Sequence, residues 1–113
     1  MKMPLQVTFR NMEPSPSIES SIREHVSKLE RLHSGIIGCR VAVEAPHHSH
    51  TKGNHFRIRV DVTVPDHEIV ADRAPAEHGA HEDAHVAVRD AFRAAQRALG
   101  DYLSRRRQLN RTG

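Results

Sequence analysis

The sequence predicts an α+β domain of order β-α-β-β-β-α, in which a four-stranded mixed sheet carries two helices packed on one face. Three observations lead to this prediction. Two segments repeat apolar residues at helical spacing, four segments alternate apolar and polar residues, and the whole chain of 113 residues has the length of one domain. Alternating strands leave one apolar face that must be covered, and two amphipathic helices have the right size to cover it.

The first two elements are a strand and a helix. Residues 5–10 alternate apolar and polar side chains and predict a half-buried strand. Ser15 is then a good N-cap, and Pro16 suits the first helical position because its missing N–H costs nothing there. The helix is expected to end near His33, with Gly35 as a left-handed C-cap. Its apolar stripe consists of Ile18, Ile22, Val26, Leu29 and Leu32.

The next three elements are strands. Residues 39–45 and 56–64 alternate and predict a hairpin, whose polar tip covers residues 46–54. Pro65-Asp66 then turns the chain into a shorter strand over residues 67–72. We expect a right-handed crossover that makes the first two strands parallel, followed by antiparallel neighbours. The sheet face away from the helices should meet solvent with Arg40, Glu44, Arg57, Arg59 and Asp61.

The last element is a long helix over about residues 81–107. Its inner stripe consists of Ala84, Val88, Ala91, Ala95, Leu99 and Tyr102, with Phe92 and Leu103 at the margin. Gly100 is an interior glycine at which this helix is expected to fray or bend. We divide the chain into one domain over residues 1–107 and a basic, flexible C-terminal tail over residues 108–113.

Composition excludes several classes of protein. A lone cysteine, Cys39, forms no disulfide framework, and it falls on the inward face of a predicted strand. The first six residues contain no apolar signal-peptide core, and no segment is apolar enough to span a membrane, so a cytoplasmic protein is expected. The chain contains no nucleophile constellation and no glycine-rich phosphate loop. We therefore predict a protein that is not an enzyme and uses no cofactor.

Charge is distributed unevenly along the chain. The chain has 17 basic and 14 acidic residues, but its last ten residues hold four arginines and no acid. The rest is therefore nearly balanced, so net charge alone does not establish a polyanionic partner. Arg89, Arg93 and Arg97, spaced by four, form a stripe on the second helix. Arg105, Arg106 and Arg107 extend it. This stripe is either a solvated helix face or a surface that binds phosphate.

Histidine is unusually frequent, with ten in the chain. Seven of them fall in two groups, which are His47, His48, His50 and His55, and then His78, His81 and His85. Neutral imidazole binds zinc, nickel and copper, and His81 and His85 share a helix face at spacing i, i+4. A histidine-rich metal-binding protein is therefore an alternative function, beside the simpler interpretation that these loops only tolerate histidine.

Three short motifs carry a resemblance to a known family. They are Val-Thr-Phe-Arg-Asn-Met-Glu at residues 7–13 before the Ser-Pro helix start, Lys-Leu-Glu-Arg-Leu at residues 28–32, and Ala-Val-Arg-Asp-Ala-Phe at residues 87–92. In this order and spacing the chain resembles the ribosome hibernation family, whose short members include hibernation-promoting and ribosome-associated inhibitor proteins and were first described as sigma-54 modulation proteins. The resemblance covers roughly residues 5–107.

The resemblance implies a non-enzymatic stress or stationary-phase factor. Such a factor binds the small ribosomal subunit in the channel used by messenger and transfer RNA, contacts ribosomal RNA and blocks translation. It implies no membrane partner and no small-molecule substrate, and we expect a monomer when free. A general RNA-binding adaptor with the same fold is a further alternative. The expected RNA-binding residues are Arg10, Lys28, Arg31, Arg89, Arg93, Arg97, Arg105 and Arg106.

Overall fold

The computed structural model describes residues 4–45, 56–73 and 84–112, with the backbone alone at residues 73 and 108–112. The element order is the predicted one. The elements are β1 (Leu5–Arg10), α1 (Pro16–Leu32), β2 (Gly38–Glu44), β3 (Arg57–Val64), β4 (His67–Arg73) and α2 (Ala84–Thr112).

The four strands form one mixed sheet in the order β1-β2-β3-β4. β1 pairs with β2 in parallel, and the other two pairings are antiparallel, as predicted. The register aligns one row of small and β-branched apolar residues across all four strands, namely Val7, Val41, Val60 and Ala71. Because side chains alternate along each strand, this row lies on the face that the helices cover.

Both helices bury one stripe against this face of the sheet. Ile22, Val88 and Leu99 are completely buried, and so are the central valines of β2 and β3. The predicted N-cap of α1 is confirmed, since Ser15 Oγ accepts a hydrogen bond from the Ile18 N–H at 3.2 Å. Burying each large aliphatic side chain contributes about 1.5–3 kcal/mol, so this shared core is the main source of stability.

Two predictions about the end of α1 are wrong. Leu32, placed in the apolar stripe, is 58% exposed. The helix ends at Leu32, and its C-cap is His33, which has extended φ and ψ and donates its N–H to the Leu29 carbonyl at 2.9 Å, so Gly35 is not a left-handed cap. Since the chain leaves the helix in an extended conformation, Ile36 enters the core instead of Leu32 and is only 6% exposed.

The last helix is longer than predicted. It continues through Gly100 and ends at Thr112, because no proline or second glycine interrupts residues 101–112. Its predicted start at residue 81 lies outside the described residues. Phe92, predicted at the margin, is 4% exposed, and Ala87, absent from the predicted stripe, is completely buried. In the part of the chain that the structure describes, neither helix has the length and apolar character needed to cross a membrane.

The outer sheet face departs from the prediction at one position. Asp61 was expected in solvent, but it is 8% exposed. It lies in the middle of β3 opposite Arg40 of β2, and Arg40 and Arg59 both reach over it. Two guanidinium groups therefore shield this carboxylate from water.

Candidate nucleic-acid interface

A groove runs between α1 and α2 on the outer surface of the helix layer. Its volume is about 270 Å³. Cationic and amide side chains form its walls, and apolar and ring side chains form its floor. The lining residues are His25, Lys28 and Leu29 of α1 and Arg89, Phe92, Arg93 and Gln96 of α2. Among the described residues this lining includes no carboxylate.

The two helices place these side chains together through their helical periodicity. His25 and Lys28 are three residues apart on α1, and Arg89 and Arg93 are four apart on α2, so each pair lies on one helix face. The buried side chains of Leu29 and Phe92 hold the two faces against each other. Lys28 of α1 and Arg89 and Arg93 of α2 therefore line one groove, whereas Arg31 and Arg97 are not part of its lining.

The floor of the groove contains a stacked ring pair. The His25 and Phe92 ring centroids are 5.2 Å apart, and the ring planes differ by 14°. His25 is partly buried, whereas Phe92 is almost completely buried beneath it. The phenyl ring thus packs against the imidazole, and both rings belong to the lining of the groove.

The electrostatic surroundings of His25 oppose its charged form. Burial is the largest cause that lowers the pKa of His25 below 6.5, and the positive charge of Lys28 is the next. Glu24 acts in the opposite direction, while Arg93 and Arg89 lower the pKa further. The imidazole is therefore mainly neutral at pH 7, among three cations that repel its proton.

Most of the predicted cations on the two helices are exposed and available. Lys28, Arg31, Arg93 and Arg97 make no ion pair with any residue that the structure describes. Arg89 reaches its neighbour Asp90 with both Nε and Nη2 at 3.3 Å, on a half-exposed surface where such a pair is weak.

Acidic residues are interspersed among the cations of α1 and could neutralise them through i,i+4 ion pairs. This arrangement forms at one position, where Arg23 donates to Glu19 at 2.9 Å in an i,i+4 pair. Lys28 and Arg31, the two residues expected to contact RNA, form no such pair within the described ranges. The acids of α1 therefore leave its predicted RNA-binding residues available.

The two predicted cations near the end of α2 differ. Arg105 is exposed, and it makes no ion pair with the described residues. Arg106 donates Nη1 to the Tyr102 hydroxyl at 3.0 Å and to the Pro65 carbonyl at 3.4 Å. Arg106 therefore turns back toward the β3–β4 turn, although its side chain remains exposed.

The structure does not bring Arg10 together with the helix cations. Arg10 ends β1 on the outer face of the sheet, where it lines a shallow groove with Gln6, Thr8 and Arg59. The whole sheet separates it from α1 and α2, because residues that alternate with the buried face point the other way. Any RNA contact of Arg10 would belong to a different surface.

The other arginines on the outer sheet face are tied to acids. Arg40 donates to Glu68 at 2.9 Å and lies 3.5 Å from Asp61, and Arg59 donates to Asp61 at 2.9 Å. Asp61 lies on β3 beside Arg40 of β2, and Glu68 lies one strand further on, on β4, so Arg40 reaches across β3 to bind it. These bonds satisfy the arginines within the fold.

Arg57 is the third arginine of the outer sheet face that binds an acid. Its Nε and Nη2 each donate to one oxygen of Asp72 at 3.1 Å, which is the bidentate geometry that suits a guanidinium and a carboxylate. The hydrogen bond from Arg57 lowers the pKa of Asp72 below 3.8, although partial burial acts against it. The outer sheet face is thus a charge-balanced surface, unlike the helix groove.

Comparison with known proteins places the chain in a family. The family model described as "Sigma 54 modulation protein / S30EA ribosomal protein" matches residues 5–107. The chain belongs to this family. No curated protein sequence matches it. The resemblance drawn from the three motifs is therefore confirmed, and with it the expectation of a non-enzymatic factor, which is what members of the S30EA family are.

Solved structures agree with the fold. A ribosomal subunit interface protein from Coxiella burnetii superposes with a TM-score of 0.72 at 15% identity, covering 90% of this chain and 99% of that one. The N-terminal domain of Thermus thermophilus Protein Y gives a TM-score of 0.61 at 16% identity, with the same coverage. At these identities the likeness concerns the fold of the S30EA domain.

Sequence reasoning missed three residues of the groove in this S30EA protein, His25, Phe92 and Gln96. His25 stands outside both histidine clusters, and Phe92 counted as a core residue at the margin of the stripe. A usable signal was present, because His25 precedes Lys28 by three residues and Phe92 follows Arg89 by three. Recognising it requires knowing which faces of the two helices meet, and that follows from the packing.

The metal-binding alternative rests on histidines that lie mostly outside the described residues. Of the seven clustered histidines, only His85 is described, and its Nε2 lies 3.1 Å from Ser17 Oγ. Within residues 4–45, 56–73 and 84–112, no three histidine, cysteine or acidic side chains converge as metal ligands would. Cys39 is 3% exposed, and burial raises the pKa of its thiol to about 12, so it is an unreactive core residue.

Proposed function

We propose that this protein binds the small ribosomal subunit through ribosomal RNA and inhibits translation by occupying the decoding region. It would act as a hibernation factor under stress or in stationary phase, in the cytoplasm, without catalysing a reaction. The RNA-binding surface is the helix face that carries Lys28, Arg31, Arg89, Arg93 and Arg97.

One observation carries the proposal. Cations on the helix face lack strong acidic partners among the described residues, whereas Arg40, Arg57 and Arg59 on the sheet face are bound to carboxylates. A guanidinium without an internal partner can bind phosphate without first breaking an ion pair. RNA duplexes are recognised mainly through their shape and backbone, so a surface of this kind suits them.

Family membership supports the same conclusion. The matching family includes ribosomal proteins in its description, and the similar protein from Coxiella burnetii is named as a ribosomal subunit interface protein. We also propose that residues 1–107 form the ribosome-binding domain and residues 108–113 a basic tail outside it. Arg105 and Arg106 would then add contacts at the edge of the surface.

Cosedimentation with purified subunits tests the proposal. The full chain should pellet with small subunits at low salt and be released as salt rises, and it should slow translation in a reconstituted system at matching concentrations. If the protein remains in the supernatant with both subunits at low salt, the proposal is wrong. Chemical footprinting on the small subunit should protect the decoding region, and protection spread over unrelated RNA would indicate a general RNA-binding adaptor instead.

A further inference from the structure

The groove between α1 and α2 has the features of a site for a specific ligand. It combines three cations from two helices, an amide at Gln96 and a partly buried imidazole over an apolar floor. The shallow grooves on the outer sheet face also contain arginines, but Asp61 lines one of them, and Glu44 and Asp72 line the other. An anion would therefore meet carboxylates on the sheet face but only cations and neutral groups in the lining of the helix groove.

We propose that this groove binds a phosphodiester of the RNA backbone and that His25 takes up a proton when the phosphate enters. The proposal rests on the proposed RNA-binding function and assigns one phosphate subsite within it. Lys28, Arg89 and Arg93 supply the attraction, and His25 supplies the coupling between phosphate binding and pH.

The coupling follows from the charges that face His25 from both helices. In the free protein, burial and the positive charges of Lys28, Arg93 and Arg89 disfavour the imidazolium, and only Glu24 favours it. A bound phosphodiester adds a negative charge beside the imidazole and compensates the three cations. The same group offers oxygens that an imidazolium N–H can donate to, so the bound state favours the proton that the free state rejects.

The sign of the pH dependence is fixed by this difference. Between the lower pKa of His25 in the free protein and its higher pKa in the complex, binding takes up a proton. Affinity should therefore rise as pH falls through this window, by at most about tenfold per pH unit because one proton is involved. Below the free pKa both states hold the proton, and the dependence on His25 should disappear.

The test uses the full chain and a mixed-sequence RNA hairpin, whose phosphodiesters do not titrate near neutral pH. NMR titration of the His25 ring should give a higher pKa with the hairpin than without it. In parallel, hairpin affinity is measured from pH 5.5 to 8 for the wild type, His25→Gln and the control His33→Gln. His33 is the C-cap of the same helix but lines a different cleft, with Tyr102 and Leu103.

The logarithm of hairpin affinity should depend on pH with the same slope for the wild type and His33→Gln. For His25→Gln this slope should be smaller, by up to about one proton taken up on binding. Equal slopes for the wild type and His25→Gln, or an unchanged His25 pKa with RNA bound, would overturn the proposal. The NMR measurement decides on the wild type alone if His25→Gln fails to fold. Subunit cosedimentation that persists while the His25 pKa does not change would refute this subsite and leave the proposed function standing.

Discussion

The two faces of this protein carry the same kind of side chain in opposite surroundings. On the sheet face, the register of β2, β3 and β4 places Asp61 opposite Arg40 and Asp72 opposite Arg59, and carboxylates bind the guanidinium groups. On the helix face, Arg93 and Arg97 point outward from α2 with no ion-pair partner among the described residues. The strand register thus satisfies the first set inside the fold, whereas helical spacing leaves the second set for an external anion.

The largest expected effect comes from removing the helix-face cations. Arg89→Gln/Arg93→Gln/Arg97→Gln should weaken small-subunit binding at low salt by at least about 100-fold, because each charge-assisted bond to phosphate contributes about 1.5–3 kcal/mol. The salt dependence should become shallower by about 0.7–0.9 log units for each phosphate that the variant no longer binds. Binding measured at several salt concentrations gives both quantities.

The matched control removes three positive charges from the other face. Arg40→Gln/Arg57→Gln/Arg59→Gln changes the net charge equally but removes no proposed phosphate contact, so it should keep most of the salt slope. Circular dichroism at the temperature of the assay checks that both variants are folded. An unchanged slope in the helix variant, or an equal loss of binding in both variants, would contradict the assignment of the interface to the helices.

The second effect concerns stability and should appear on the sheet face only. Arg40→Gln/Arg59→Gln leaves the Asp61 carboxylate buried without its charged partners, and an orphaned buried acceptor costs about 1–3 kcal/mol. Arg93→Gln/Arg97→Gln removes exposed side chains and should stay within about 0.5 kcal/mol. Urea denaturation followed by circular dichroism measures both. Similar losses in the two variants would show that the two faces do not differ as described.

Much of the fold could be predicted because its signals are local. Alternation in β3, the Ser15-Pro16 helix start and the four-residue spacing in α1 each depend on neighbouring residues alone. The wrong predictions concern residues whose burial is determined by tertiary packing. Leu32 fits the helical stripe as well as Val26 does, but the chain turns away one residue later and Ile36 fills the core instead.

The candidate site could be predicted only in part for the same reason. Spacing identified Arg89, Arg93 and Arg97, since one helix determines their stripe. Spacing could not identify His25, because its role depends on Phe92 of a different helix. Spacing also could not show that Arg10 lies on a different surface from the helix cations. That depends on which face of the sheet the helices cover.

A smaller effect is expected from the acid that pairs with an arginine of the groove. Asp90 holds the guanidinium of Arg89 at 3.3 Å, so it competes with an RNA phosphate for that group. Asp90→Asn should strengthen small-subunit binding by a few-fold, roughly the effect of a weak surface ion pair. Glu19→Gln is the control, because it releases Arg23 on α1 outside the groove lining. Unchanged or weaker binding by Asp90→Asn would contradict a phosphate contact of Arg89.

The smallest effect is a pH dependence of stability on the sheet face. Because Arg57 lowers the pKa of Asp72 below its unfolded value of about 3.8, the pair stabilises the fold above that pH. This contribution is lost as pH falls through the lower, folded pKa. A double-mutant cycle with Arg57→Gln and Asp72→Asn should therefore give a coupling energy that is present at pH 7 and declines as pH falls below about 3.8. If the coupling energy did not decline in acid, shape rather than charge would join the two side chains. The sheet face would then differ less from the helix face than its ion pairs indicate.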